Sequence, residues 1–359
     1  MADTSLARSR NRRPAWWVVV GLVACGFVAT ACSDSPDPAS GPVAVTVAAP
    51  PSTPATTATP VTSAAFRIGL VAPGAEDDRA WTQSMIDSLE RLGTERDIDV
   101  DVAAGLVDAD DAEEALRGFA DGGHDLVIAH GVQFGRVVQD VADEYPDVAF
   151  ASGTSSMAGA NVFAYSAAAE QGGYVNGVIA AALTSSNLIG VVGPVPAGDA
   201  RAYISGFRRG VTAEAAAAVV DVIYIDSFSD VRLASEAAQA LVADGVDVLT
   251  GSGQMVTGAI GVAVDSGAPW FGTQSDQREL GPDVVVASQV YHWEVVLAPM
   301  VDRIATGSTG GEAFVATFAN GGLGIEFNDG FGLDPAVRAR ADAVIDAIAD
   351  GSLVVEPPT

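Results

Sequence analysis

The chain has 359 residues, with 46 Asp and Glu against 18 Arg, no lysine, and a formal net charge of −28 at pH 7. An acid surplus of that size argues against a nucleic-acid surface and against a polybasic membrane patch. Both cysteines, Cys25 and Cys32, lie near the N-terminus, so the remainder must stand on its core without a disulfide.

The N-terminus reads as an export signal. Arg8, Arg10, Arg12 and Arg13 form a basic region, and Trp16 to Thr30 form an apolar run too short for a comfortable membrane span. Ala29-Thr30-Ala31-Cys32, followed by Ser33-Asp34, resembles a bacterial lipobox, whose cysteine is diacylated and becomes the new N-terminus. Leu22-Val23-Ala24-Cys25 fits that pattern too; Cys32 is preferred because polar chain follows it at once. Residues 1–31 are therefore expected to be a lipoprotein signal peptide. Residues 32–64, rich in Pro, Ser, Thr and Ala without a helical or strand period, are expected to be a flexible stalk.

Beyond the stalk, short β-type runs alternate with amphipathic stretches. FRIGLVA (66–72) precedes a helix near 79–94, and IDVDVAA (98–104) precedes a helix capped by Asp110 or Asp111 and stopped at Gly122-Gly123. DLVIA (125–129) leads to a third helix and then DVAFAS (147–152). The pattern repeats with strands at 187–193, 219–225, 247–251, 268–272 and 283–290 and helices between them. Residues 313–327 can add strands, and 334–350 are a last helix with Asp334 as N-cap and Pro335 at its first position. Strand–helix alternation of this kind predicts parallel doubly wound sheets. Two such half-chains predict two α/β lobes joined by a hinge, of the type I periplasmic-binding-protein kind. The first is assigned 65–163 plus about 289–320, the second 164–288 plus part of the C-terminal tail. Chain crossings are expected near 161–166, 284–290 and 315–325. Such folds hold a ligand between the lobes, at the loops that follow the strands.

Several segments then carry a family resemblance in order. They are Asp78-Arg79-Ala80-Trp81-Thr82-Gln83 after the first strand, ADEYPDVAF (142–150), and Glu170-Gln171-Gly172-Gly173-Tyr174 continuing to Ala181. They continue with Ser205-Gly206-Phe207-Arg208-Arg209-Gly210, Ser227-Phe228-Ser229-Asp230 and Gly245-Val246-Asp247-Val248. With these segments the chain resembles the basic membrane protein (BMP) family, purine nucleoside- and nucleobase-binding lipoproteins of ABC importers, over nearly all of 65–359.

The resemblance implies a purine sandwiched between one ring from each lobe, here Trp81 and Phe228. It places Asp78 and Thr82 in the turn beside Trp81, and Thr154 where relatives often carry an aspartate that reads the base. Gly253 and Gln254 follow a second-lobe strand, where glycine permits close backbone approach. Gln274 and Asp276 stand in the stretch that contacts ribose in nucleoside receptors, and Trp293 belongs to a Tyr291-His292-Trp293 run expected to line the cleft. Ala72 and Gln274 replace acids that would hold ribose, which favours a purine base over a nucleoside.

Other chemistry finds little footing. His124, His130 and His292 form no metal motif, and DADDAEE (108–114) lacks the spacing of a calcium loop. GVVGPVPAG (190–198) lacks the ending of a P-loop, and there is no nucleophile elbow. The expectation is a monomeric, non-enzymatic solute-binding lipoprotein without cofactor or metal. It would be lipid-anchored on the outer face of the cytoplasmic membrane, with ABC permease subunits as partners and no nucleic acid. The alternatives are a binding protein of the same fold for another solute, such as a sugar, or a surface lipoprotein with a sensing or adhesive role.

Overall fold

The computed structural model describes residues 65–358. The expected signal peptide, the lipidation candidates Cys25 and Cys32, and the stalk to residue 64 lie outside the described residues.

Two six-stranded sheets organise the chain. The first holds β1 (Phe66–Val71), β2 (Ile98–Ala103), β3 (Leu126–Ala129), β4 (Ala149–Gly153), β5 (Val162–Ala167) and β11 (Ala313–Ala316), in the order β11-β5-β4-β3-β1-β2, all parallel. The second holds β6 (Leu188–Gly193), β7 (Val219–Tyr224), β8 (Val248–Gly251), β9 (Trp270–Gln274), β10 (Val285–Tyr291) and β12 (Leu323–Phe327). Its order is β12-β10-β9-β8-β6-β7, parallel except for β12, which runs antiparallel to β10. β1, β3, β4 and β8 to β10 are buried along most or all of their length, as strands covered by helices on both faces must be. Each sheet reverses its strand order beside its first strand, so the crevice at a topological switch point opens at the C-terminal ends of β1 and β3 and of β6 and β8.

The chain passes between the sheets three times: after Ala167, after Tyr291 and within 317–322. The first two passages fall later than the sequence reading placed them. Residues 162–167 are themselves a strand, started by Asn161, whose amide donates to the Ala142, Tyr145 and Val148 carbonyls at 3.0 Å each. Residues 285–291 complete the second sheet, so 289–291 belong there rather than with the first lobe. The second helix begins at Ala109 after Asp108; Asp110 and Asp111 lie in its first turn, where acids suit the helix dipole.

α4 (Ala169–Leu183), for which the sequence pattern gives no clear helical period, is the centre of the second lobe. It packs on α5 (Gly198–Glu214) through glycines on both helices. A methyl at Gly173 or Gly177 would overlap the Tyr203 or Phe207 carbonyl oxygen of α5, and one at Gly206 or Gly210 would overlap the Glu170 or Tyr174 carbonyl oxygen of α4. Backbone here meets backbone, which explains why the helix is buried nearly all round and shows no polar stripe.

Gly206→Ala is therefore expected to lower the unfolding free energy by about 2 kcal/mol or more, because neither backbone can yield. Gly261→Ala, in α7 (Val256–Ser266), meets nothing within 4 Å and should instead stabilise by about 0.5–1 kcal/mol. Urea denaturation of the two variants against wild type checks both signs.

Candidate functional site

A cleft of about 290 Å³ opens between the two sets of loops. That is near the lower end of the roughly 300–1,000 Å³ common for small-molecule sites. Its first-lobe wall includes Pro73, Trp81, Val132 and Thr154; its second-lobe wall includes Gly198, Asp199, Phe228, Gly253, Gln254 and Gln274.

Trp81 opens α1 (Trp81–Glu95), just beyond β1, and is 7 % exposed. Its ring lies parallel to His130, which follows β3, at 4.2 Å between centroids and 3° between planes. His130 in turn lies parallel to Tyr165 of β5, at 6.0 Å and 8°. Trp293 stands edge-on to all three rings at 5.4–5.6 Å. One face of Trp81 is thus occupied by His130, and the tryptophan still lines the cleft.

The hydrogen bonds decide the state of His130. The Trp81 indole Nε1–H donates to the His130 carbonyl at 3.0 Å, and His130 Nε2 lies 3.1 Å from the Trp81 carbonyl, which can only accept. Nε2 therefore carries the proton, and Nδ1 accepts from the Tyr165 hydroxyl at 2.8 Å. Full burial pushes His130 down to about 3, so the imidazole is neutral.

Asp199, in the first turn of α5, is the counterpart on the other lobe. The Tyr291 hydroxyl lies towards its carboxyl group, while its Oδ2 is buried with no partner. Burial, with Glu170 of α4 nearby, pushes it up to about 7. Two more buried acceptors without a partner line the cleft, Gln254 Oε1 and Gln274 Oε1. Strain gathers here as well. Of the five non-glycine residues at positive φ among those described, Thr154 (55°), Asp226 (54°) and Gln274 (74°) line the cleft.

The lobes touch across this cleft. A methyl at Gly198, whose φ is 53°, would lie 2.8 Å from Thr154 Cγ2. Nearer the hinge, Ser275 Oγ donates to the Ala80 carbonyl at 2.9 Å, and Arg79 pairs with Glu279 at 3.2 Å.

The structure thus brings together Trp81, Phe228, Thr154, Gly253, Gln254 and Gln274. Four sequence candidates stand elsewhere. Asp78 accepts from the backbone N–H groups of Ala80, Thr82 and Gln83 at 2.9–3.1 Å and so anchors the start of α1. Thr82 is fully buried, its hydroxyl accepting from Gly74 N at 3.0 Å. Asp276 pairs with Arg278 outside the cleft. Trp293 is fully buried, its indole N–H donating to Ser84 Oγ at 3.0 Å, so it braces Trp81 rather than lining the cleft. Two residues of the site carry little signal in the sequence: His130 reads there only as a possible metal ligand, and Asp199 follows a glycine-rich turn that lacks the P-loop ending.

A family model described as ABC transporter substrate-binding protein PnrA-like (Bmp) matches residues 65–343. The chain belongs to the Bmp family. It is 30% identical over 232 residues to a purine-binding protein of Brucella abortus (strain 2308), a match covering 64% of this chain and 65% of that protein, just under two thirds of its length. It is 25% identical over 229 residues to basic membrane protein A of Borreliella burgdorferi, covering 62% and 67%. Among solved structures, an ABC-transporter solute-binding protein from Conexibacter woesei superposes with a TM-score of 0.69 at 26% identity, covering 82% of this chain and 99% of that one. One from Aeropyrum pernix gives 0.71 at 17% identity over 82% and 94%, a likeness of fold alone. This Bmp protein has the two-lobed type I binding fold. Its family is one of solute-binding proteins of ABC transporters rather than of enzymes. Among the described residues no helix is long and apolar enough to cross a membrane.

Asp199 and His130 act oppositely on acid stability. Asp199 moves from 3.8 up to about 7, so between those values the folded state holds a proton that the unfolded chain lacks. Its contribution is present at low pH and lost as pH rises to 7. His130 moves from 6.5 down to about 3, so its contribution is present above 6.5 and lost as pH falls. Over roughly pH 4–6.5 the two offset. Relative to wild type, Asp199→Asn should lose stability on acidification from pH 6.5 to 4.5, by about 1 kcal/mol per unit. His130→Asn should lose it as pH rises over the same range. Urea titrations at a series of pH values check the two slopes; slopes of the same sign would refute the assignment.

Proposed function

We propose that this protein is an extracytoplasmic, lipid-anchored receptor that captures a purine-type heterocycle between its lobes and delivers it to ABC permease subunits. The observation that carries the reading is the pairing of rings. Trp81, braced by His130 on one face, and Phe228, held on the loop between β7 and α6 (Val231–Ala243), line one cleft from opposite lobes. A purine offers two π-faces, and each stacked contact contributes roughly 1–3 kcal/mol. Both faces can be covered only when the lobes are together, so ligand binding favours the closed form. The similarity to a purine-binding protein of Brucella abortus supports the same ligand class.

The position after β1 is Ala72, fully buried and unable to bond a ribose, and Gln274 is neutral. Both favour a free base over a nucleoside. Thr154, Gln254 and Gln274, which line the cleft, would address the ring edge. Among the described residues the cleft wall contains two acids, Asp199 and Asp226, and no Arg, which disfavours a phosphorylated ligand. Tethering would be through Cys32, with Cys25 the alternative.

Calorimetric titration of protein that has been unfolded and refolded to strip bound ligand tests the reading. The panel is adenine, guanine, hypoxanthine, xanthine, adenosine, guanosine, inosine and glucose. Tight binding of a purine is expected. Phe228→Ala, a half-exposed side chain whose loss leaves the core intact, should weaken it by roughly 10- to 100-fold. Unchanged affinity in that variant would rule out the sandwich, and binding of glucose alone would move the protein to the sugar class.

A further inference from the structure

Stacking fixes the plane of a ligand and leaves its edge undecided. Thr154, Gln254 and Gln274 can each meet either a donor or an acceptor. A hydroxyl rotates, and an amide turned about its last bond exchanges its oxygen for its NH2. An ionised carboxylate has no such freedom and only accepts. Asp199 would be such an acceptor once ionised: it is 8 % exposed, one of its oxygens is buried without a partner, and it forms part of the wall.

The groups facing Asp199 are the Tyr291 hydroxyl at the end of β10, Glu170 in the first turn of α4, and Tyr165 of β5. None of them is cationic. The Tyr291 O–H can donate, yet Asp199 Oδ2 has no hydrogen-bond partner. A buried acceptor left without a donor costs free energy that a suitable ligand recovers on binding and an unsuitable one does not.

We propose that the ligand donates a hydrogen bond to Asp199 Oδ2, so that an N–H or O–H donor at that edge is a condition of tight binding. This deepens the purine reading and rests on it. The donor has two possible sources, a ring or exocyclic N–H of the base and a ribose hydroxyl. The carboxylate is raised towards neutral pH in the ligand-free cleft, so a ligand that needs it ionised binds better as pH rises.

The test titrates wild type and Asp199→Asn with adenine, 9-methyladenine, N6,N6-dimethyladenine, adenosine and 2′,3′-dideoxyadenosine at pH 5.5 and 8. The wild type is expected to bind its best ligand more tightly at pH 8. The variant should bind that ligand roughly tenfold more weakly or worse, with the pH dependence gone. An analogue that weakens binding to wild type but not to the variant identifies the donor. A methylated base points to N–H, and the dideoxynucleoside points to the ribose hydroxyl. Equal affinity in wild type and variant would overturn the proposal. So would tighter wild-type binding at pH 5.5, which would mean that a neutral carboxyl donates to a ligand acceptor. The pH arm uses the wild type alone and stands even if the variant folds poorly. If wild type binds neither these five nor any purine of the wider panel above, the purine reading falls, and this inference falls with it.

Discussion

Trp81 and His130 hold each other by two hydrogen bonds that run in opposite directions, indole N–H to one backbone carbonyl and imidazole N–H to the other. The rest of the site depends on that reciprocal pair. It sets the rings parallel, fixes the imidazole tautomer, and turns Nδ1 towards the Tyr165 hydroxyl. Because Trp81 follows β1 and His130 follows β3, the pair also joins the two strands that flank the switch point of the first sheet. An imidazolium would make Nδ1 a donor as well, and the Tyr165 hydroxyl would have to turn from donating to accepting. Burial keeps His130 neutral, against the smaller opposing pull of its bond to the Trp81 carbonyl. The outcome is a rigid aromatic platform, and a platform that does not reorganise on binding loses little conformational entropy.

The second lobe solves a different problem, which is how to bring α5 and its Asp199 close to the sheet and to the opposite lobe. The glycines of α4 and α5 let backbone meet backbone, and Gly198 at the mouth of α5 lets the helix start against Thr154 of the first lobe. Small residues at these contacts are thus tied to function through position. A side chain at Gly198 would meet Thr154 and push the lobes apart at the cleft. Nearer the hinge, the Ser275–Ala80 bond and the Arg79–Glu279 pair join loops from the two lobes, so the hinge side is tied independently of the cleft. The exposed ion pair adds little in energy; the buried hydroxyl-to-carbonyl bond carries more.

Much of this architecture is legible in the sequence because alternation of buried strands and amphipathic helices has a local period. β1 to β4 and β6 to β10 coincide with short apolar runs, and Asp334 does cap the last helix by accepting from Ala336 N at 2.7 Å. α4 escapes because it is buried nearly all round, which erases the period that would mark it, and β5 because its run, VFAYSA, is broken by small and polar residues. At the site, motif order identifies the loops correctly but says nothing of which way each side chain turns. Trp81 and Trp293 look equivalent as aromatic residues beside strand ends. Only the positions of Ser84 and Ser88 on α1, which take the Trp293 side-chain and backbone N–H groups, decide that Trp293 faces inward. Thr82 is drawn inward by the Gly74 N–H, and Asp78 is consumed by three backbone donors. Asp199 gives no signal of its own, since a lone acid in the first turn of a helix is usually there for the dipole.

Selectivity in such a cleft comes from what is left unpaired as much as from what is offered. Two stacked faces reward any flat heterocycle to a similar degree, so they supply affinity with little discrimination. The buried oxygens of Asp199, Gln254 and Gln274 act differently, because each is already desolvated and without a partner. A ligand that leaves the carboxylate oxygen bare forfeits a charge-assisted bond and gains nothing elsewhere, a difference that grows as water is excluded on closure. The two glutamines can adapt by turning their amides; the aspartate, once ionised, cannot. On the proposed reading the aromatic pair would set the class of ligand, and the Asp199 carboxylate on α5 would narrow that class to members that carry a donor on the matching edge.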